Sequence, residues 1–322
     1  MLMSTLYVDR KGISIRVDAN TLVFEEGGSR VGCVPLGPLE RVILRGDVSL
    51  QASVLGKLGE CGVGVVVLSG RKGEPTLLMG RPHNDARRRL RQGQRAQDPT
   101  FSLTVAREIV RLKLVAQENL MLDRAKDNLM HKYELRLAAS RIRFSKESAE
   151  KVSSISSLRG CEGAAANAYF GGLKALFPPA LKFTGRNRRP PRDPVNAVLS
   201  LGYTLLHSEA VLQTHAAGLD PFVGFLHELD FGRESLACDL VEPQRTGVDR
   251  LVLNMFRERQ LTPDHFSMVQ QACMLGKAGR ERFYRVWESA SEGMRQALRA
   301  SCLSLVQVIE AENGDETESQ PD

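Results

Sequence analysis

The sequence predicts an α+β chain of two unlike parts, a small β-rich N-terminal domain and a larger all-α C-terminal domain. Three observations predict it. Short β-branched runs between turn residues fill the first eighty positions, helical periodicity dominates from about Phe101, and 322 residues exceed one typical core. The expected division is residues 1–80 β-rich, 81–100 a basic linker, 101–311 α-helical, and 312–322 a disordered acidic tail.

The elements follow in chain order. Strands are expected at 5–8, 13–17, 22–25, 31–34 and 41–44, separated by Asp18-Ala-Asn20, Gly27-Gly28 and Gly37-Pro38. Ile13, Ile15 and Val17 alternate with Ser14 and Arg16, so this strand buries one face. Residues 49–60 place Leu50, Val54, Leu55 and Leu58 on one side of a short helix. A fully buried strand at 63–68 and a last one at 74–79 complete the domain. Residues 80–100 are almost free of large apolar side chains and read as a linker passing into helix. Val105, Ile109, Leu112, Leu114 and Val115 then begin a long amphipathic helix. Further helices are expected at 129–144, 162–175, 193–217, 233–259 and 279–310, with Asp193-Pro194 a clear start. The proline-rich stretch 177–191 is expected to be a mobile loop.

Composition narrows the function classes. Hydrophobic residues are 42% and charged residues 25%, which excludes a disordered chain. No apolar run reaches the roughly 18–20 residues of a membrane span, and the N-terminus lacks a signal-peptide pattern, so a cytoplasmic location is expected. The net charge of +6 hides an asymmetry: residues 300–322 hold six acids and no Lys or Arg. Residues 1–299 thus carry 44 basic against 32 acidic residues. So basic a body points to a polyanionic partner, or simply to solubility. The six cysteines lie at least 28 residues apart, too far for a zinc ribbon, and are expected to be reduced thiols. HExxH, GxSxG, the Walker loop and GxGxxG are all absent.

Two acidic positions stand out. Asp239 and Glu242, three apart, share a face if helical, beside Leu236, Ala237, Leu240 and Val241. A solvated face, or an ion pair with Arg245, describes the same spacing. Glu162 sits among Gly163, Ala164, Ala165 and Ala166 at an expected helix start, where it either favours the helix dipole or meets a closely approaching partner. Two basic clusters accompany them. Arg81, Arg87, Arg88, Arg89, Arg91 and Arg95 form one, and Lys182, Arg186, Arg188, Arg189 and Arg192 the other. Such densities favour phosphate contacts, although a solvated helix and a basic loop are the plainer readings.

Three stretches together resemble one known family. They are LRGCEGAAANAYF (158–170), DPVNAVLSLGYTLLHSEA (193–210) and GLDPFVGFLHELDFGRESLACDLVEPQRTGVDRLV (218–252). They are similar to the universal first-numbered CRISPR-associated protein, the adaptation endonuclease and integrase. The similarity runs from about residue 5 to 305 and is one of pattern mainly in the N-terminal part.

The resemblance implies a metal site of Glu162, His227 and Glu242, with Asp239 the nearby catalytic acid. One imidazole and two carboxylates suit Mg²⁺, with the imidazole shifting preference toward Mn²⁺. It implies double-stranded DNA as substrate, with Arg87, Arg88, Arg89, Arg91, Arg186, Arg188, Arg189 and Arg245 along its path. Asn196 and Tyr203 match polar positions of the family's helix near the site. A DNA 3′-hydroxyl would attack a phosphodiester directly, joining short fragments to a CRISPR array. A homodimer through the β-rich domains, and a complex with the small second-numbered Cas protein, are the implied assemblies. A metal-dependent phosphodiesterase without integration, and a non-catalytic DNA-binding scaffold, are the competing expectations.

Overall fold

The computed structural model describes residues 4–68, 75–80, 83, 85–187 and 190–311. The expected tail 312–322 and the cluster members Arg81, Arg188 and Arg189 lie outside the described residues.

The N-terminal part is two four-stranded sheets around one core. Strands β1 (Ser4–Asp9), β2 (Ile13–Asp18), β3 (Thr21–Glu26), β4 (Ser29–Pro35), β5 (Leu39–Arg45) and β6 (Val48–Leu50) precede helix α1 (Ala52–Glu60). Strands β7 (Gly64–Val67) and β8 (Thr76–Leu78) follow. One sheet runs β1-β5-β7-β8 and the other β4-β3-β2-β6. Every expected strand is present.

The inner strands β5 and β7 of the first sheet are buried on both faces, which is why they read as apolar runs rather than alternations. Side chains point to opposite faces with period two. Val42 and Leu44 of β5 and Val65 of β7 face the β core, whereas Ile43 and Val66 join the helical core. Polar residues of that outer face obey the same parity. Arg41 of β5 pairs with Glu209, its Nη2 2.8 Å from Oε1, and both are nearly sealed from water. Tyr7 of β1 donates to Glu288 at 2.8 Å, and Arg280 donates to Asp9 at 2.6 Å.

The remainder is chiefly helical. Its helices are α2 (Ala86–Gln97), α3 (Pro99–Asp127), α4 (Lys132–Ala149), α5 (Ile155–Ala175), α6 (Pro194–Ala216), α7 (Ser235–Val241), α8 (Arg245–Arg257) and α9 (Lys277–Glu310). Helix α6 starts as expected, the Asp193 side chain accepting from the Asn196 amide at 2.9 Å. No helix among the described residues is long and apolar enough to cross a membrane.

Several expectations are corrected. Most of the linker 81–100 is helix α2, capped by Asp85. It lacks an apolar face and docks through polar groups instead. The buried Gln92 amide donates to the carbonyls of Asp220 and Val223 and accepts from the Asp220 amide. Glu162 is not at a helix start: α5 begins two turns earlier, capped by Ser154, so the dipole account of Glu162 falls. The single helix expected over 233–259 breaks into α7, a 3₁₀ turn at Glu242–Gln244, and α8. Pro243, which has no N–H to donate, sits at that break. The 177–191 stretch is anchored at its start, with Phe177, Leu181 and Phe183 buried around a 3₁₀ turn at Pro179–Leu181. A hairpin of β9 (Phe266–Val269) and β10 (Ala272–Leu275) was not expected; its turn rests on Gln270 at φ 58°, without Gly or Asn to announce it.

Candidate metal centre and nucleic-acid interface

The site forms where α3, α5, the 3₁₀ turn before α8, and the segment after α6 meet. Helix α5 contributes Glu162, and the turn contributes Glu242. The two carboxylates meet on one cation, the ammonium of Lys113 from α3. Lys113 Nζ contacts Glu162 Oε1 and lies 2.5 Å from Glu242 Oε2. Lys113 and Glu242 are each buried to 6% exposure, while Glu162 is half-buried.

Electrostatics follow from this packing. Burial alone raises a carboxyl, yet Arg245 and Lys113 outweigh it and hold Glu242 down at about 2. Burial pulls the Lys113 ammonium down, and the Glu242 and Glu162 charges more than reverse this, leaving it above its ordinary value. Arg245 Nε donates to Glu242 Oε1 at 2.8 Å, so both carboxylate oxygens of Glu242 are engaged. The Arg245 guanidinium also lies over the Tyr203 ring, 4.8 Å from its centroid.

His227 is positioned by Asp239. The Asp239 carboxylate is fully buried and accepts from the amides of Phe225, Leu226 and His227 at 2.7, 2.9 and 3.0 Å. Its Oδ1 also meets His227 Nδ1 at 2.6 Å. All this fixes the ring and turns Nε2 away from the carboxylate. Gly224 makes the approach possible, since a Cβ there would lie 2.8 Å from the Ser235 carbonyl carbon and 2.9 Å from Asp239 Oδ2. Arg159, one turn before Glu162 on α5, clamps the same segment by donating twice to the Leu226 carbonyl, at 3.1 and 2.7 Å. His227 lies within electrostatic range of Glu242.

The structure therefore brings Glu162, Glu242 and His227 into one neighbourhood, and gives Asp239 to the His227 segment. Among the described residues, no three His, Cys, Asp or Glu side chains close on a single point as an ion's ligands would. Lys113 fills the interval between the carboxylates. The donor set still fits a divalent cation, because two carboxylates already converge on one positive charge beside an imidazole with a free nitrogen.

Behind the site lies a buried polar triangle. Tyr203 and Tyr169 both donate to Asp249, Tyr169 at 2.7 Å. Burial raises the Asp249 carboxyl to about 6, against the two tyrosine hydrogen bonds that lower it. Asn196 accepts from Arg186 Nη1 at 2.8 Å and donates to Asp193 at 2.6 Å.

The basic residues divide. Arg88 donates to Glu310 and to the Ala217 carbonyl, both at 2.7 Å, and so ties α2 to the ends of α6 and α9. Arg89 donates to the His83 carbonyl at 2.7 Å. Arg245 and Arg186 face Tyr203. Arg87 and Arg91, one turn apart on α2, are exposed. A groove of about 820 Å³ between α4, α5 and residues 177–184 adds Arg141, Lys174 and Lys182.

Sequence reasoning missed Lys113 and Arg159. Lys113 was detectable: Ala106, Ile109, Val110, Leu114, Gln117 and Leu120 mark the buried stripe of α3, and Lys113 lies on it.

The chain is similar to known proteins. The family model described as "CRISPR associated protein Cas1" matches residues 6–289. "CRISPR-associated endonuclease Cas1 1" of Thermodesulfovibrio yellowstonii is 40% identical over 304 residues, 92% of this chain and 94% of the relative. "CRISPR-associated endonuclease Cas1 3" of Thermus thermophilus is 33% identical over 86% of this chain and 81% of its own. The solved structure of TM1797, a CAS1 protein from Thermotoga maritima, superposes with a TM-score of 0.84 at 26% identity, covering 98% of this chain and all of that one.

Proposed function

The chain belongs to the Cas1 family, and from that premise we propose that it is a metal-dependent DNA endonuclease and integrase of CRISPR adaptation. The observation that carries the reading is the convergence of Glu162 and Glu242 on one buried positive charge, beside His227 held by Asp239. Glu162, Glu242 and His227 Nε2 would hold Mg²⁺ or Mn²⁺. A bound ion supplies Lewis-acid stabilisation of the scissile phosphodiester and of its leaving oxygen.

The protein's own groups do the rest. Asp239 fixes the imidazole through Nδ1 and leaves Nε2 free to act as a ligand. Arg245 keeps Glu242 ionised and oriented, and its stacking on Tyr203 keeps the guanidinium in place. No side chain serves as nucleophile; a DNA 3′-hydroxyl attacks in integration, and water in nicking. Arg87 and Arg91, with Arg141, Lys174 and Lys182 of the groove, provide positive charge for the phosphate backbone. Double-stranded prespacer and repeat DNA are the substrates in this reading. A homodimer through the β-rich part, joined to a Cas2 partner, is the working assembly, in the cytoplasm.

The test is strand transfer of a short duplex into a supercoiled plasmid carrying a repeat array, with Mn²⁺ or Mg²⁺ present. Glu162→Gln, His227→Ala and Glu242→Gln should each lower the rate by 100-fold or more, on the order expected when one member of a catalytic unit is lost. Full activity in all three variants overturns the site. Plasmid nicking without joining selects a phosphodiesterase, and DNA binding indifferent to chelator and without cleavage selects a scaffold.

A further inference from the structure

We infer that Lys113 is a built-in counter-ion that a divalent cation displaces: its ammonium pairs Glu162 with Glu242 until the ion binds, and then releases both. The inference rests on the assignment of Glu162, His227 and Glu242 as ligands, and goes beyond it by assigning Lys113 a place in the loading of the site.

The argument begins with cost. Lys113 occupies a core position of α3, between Val110 and Leu114, which are fully buried. Taking an ammonium out of water is costly, and a buried one persists only if paired. It donates to the two carboxylates, one from α5 and one from the 3₁₀ turn. The reciprocal holds for Glu162 and Glu242, which without a cation between them would face each other as like charges.

Occupancy of the oxygens comes next. Glu242 Oε1 is held by Arg245 and Oε2 by Lys113. An ion approaching Glu242 must therefore take an oxygen from one of them. Arg245 is held twice, by Glu242 and by the Tyr203 ring, and its guanidinium is rigid. Lys113 ends in a point charge on a flexible four-carbon stem, and its partner Glu162 is the less buried of the two carboxylates. It is the partner that yields. Nor can the ammonium and the ion share the carboxylates closely, since three positive charges within about 4 Å repel strongly wherever water is scarce.

Lys113→Met keeps the length and removes the charge. Because the wild-type ion must break two charge-assisted hydrogen bonds, Mn²⁺ should bind the variant about tenfold tighter or more, measured by calorimetry or by the loss of the free-Mn²⁺ spin resonance signal. Equal or weaker binding overturns the inference, and shows a lysine that supports the loaded site. If the variant does not fold without metal, crystals of the wild-type protein soaked in Mn²⁺ decide instead. With an ion on Glu162 and Glu242, Lys113 Nζ should stand beyond hydrogen-bond reach of both. An ion present while Lys113 still bridges both carboxylates overturns the inference alone. Saturating Mn²⁺ that never occupies these side chains overturns the ligand assignment, and the inference with it.

Discussion

At the scale of single residues, two buried carboxylates show how environment divides the labour. Glu242 and Asp249 are seven positions apart, and the structure drives them in opposite directions. Glu242, held at about 2 by Arg245 and Lys113 against the effect of burial, contributes stability above its ordinary 4.5 that is lost as pH falls toward 2. At Asp249 desolvation outweighs the two tyrosine hydrogen bonds and the charges of Arg245 and Arg186, and the carboxyl rises from its ordinary 3.8 to about 6. Between those values the folded state binds the Asp249 proton more tightly than the unfolded chain does. The group therefore makes the protein less stable as pH rises from about 4 to about 6. Asp249→Asn removes that slope. Relative to the variant, the wild-type protein should lose on the order of 2–3 kcal/mol across this window, read from urea unfolding at pH 4, 5, 6 and 7. Parallel stability curves for the two proteins would refute the assignment. Asp239, by contrast, is buried yet meets four donors from the His227 segment and its ring. The spacing of Asp239 and Glu242 was visible in the sequence. Their division was not, because it depends on the 3₁₀ turn that sends Glu242 toward Lys113.

At the scale of elements, the site is set by how closely helices cross. Gly202 of α6 touches α8: a Cβ there would lie 2.5 Å from Val248 Cγ1, with Trp287 and Phe283 of α9 at 3.6 and 3.7 Å. Helix α8 begins with Arg245, which holds Glu242, so a shift of α8 is felt at the carboxylate pair. Gly202→Ala should cost about 1–3 kcal/mol by overpacking, seen as a lower unfolding midpoint. It should also slow strand transfer, and an unchanged midpoint would mean that the helices part without cost. Helices with strong local signals were legible from sequence: α6 from Asp193-Pro194, and α9 from its long periodicity. The strands of the first sheet were legible as apolar runs, though not which face met the helices; parity became meaningful only once Arg41 and Tyr7 had partners on α6 and α9. Helix α2 was hidden because polar contacts, above all Gln92, do the docking that apolar side chains do elsewhere. The β9–β10 hairpin was hidden by a turn made of ordinary residues.

At the scale of the whole molecule, the excess of positive charge over residues 1–299 is only partly available to a partner. Much of it is consumed inside the fold. Arg41 and Arg295 meet Glu209 at the seam between the first sheet and the helices, and Arg280 meets Asp9 across the same seam. Arg88 joins the ends of α6 and α9, and Arg245 is committed to Glu242. Counting arginines in the sequence could not separate these from the exposed ones, because an internal pair and a surface charge look alike without contacts. The two classes should separate in their response to salt. Each phosphate neutralised releases counter-ions and steepens the fall of log K with log salt by about 0.9 on duplex DNA. Arg87 and Arg91 are exposed on one face of α2, so Arg87→Ala with Arg91→Ala should flatten the slope by about 1.8 without moving the unfolding midpoint. Arg88→Ala should do the reverse, lowering the midpoint while leaving the slope nearly as it was, since its guanidinium already serves Glu310 and Ala217. Fluorescence anisotropy of a labelled duplex across a salt series, with thermal unfolding of the same variants, measures both. A full loss of slope from Arg88→Ala, or none from the Arg87 and Arg91 pair, would place the DNA on a different face from the exposed side of α2.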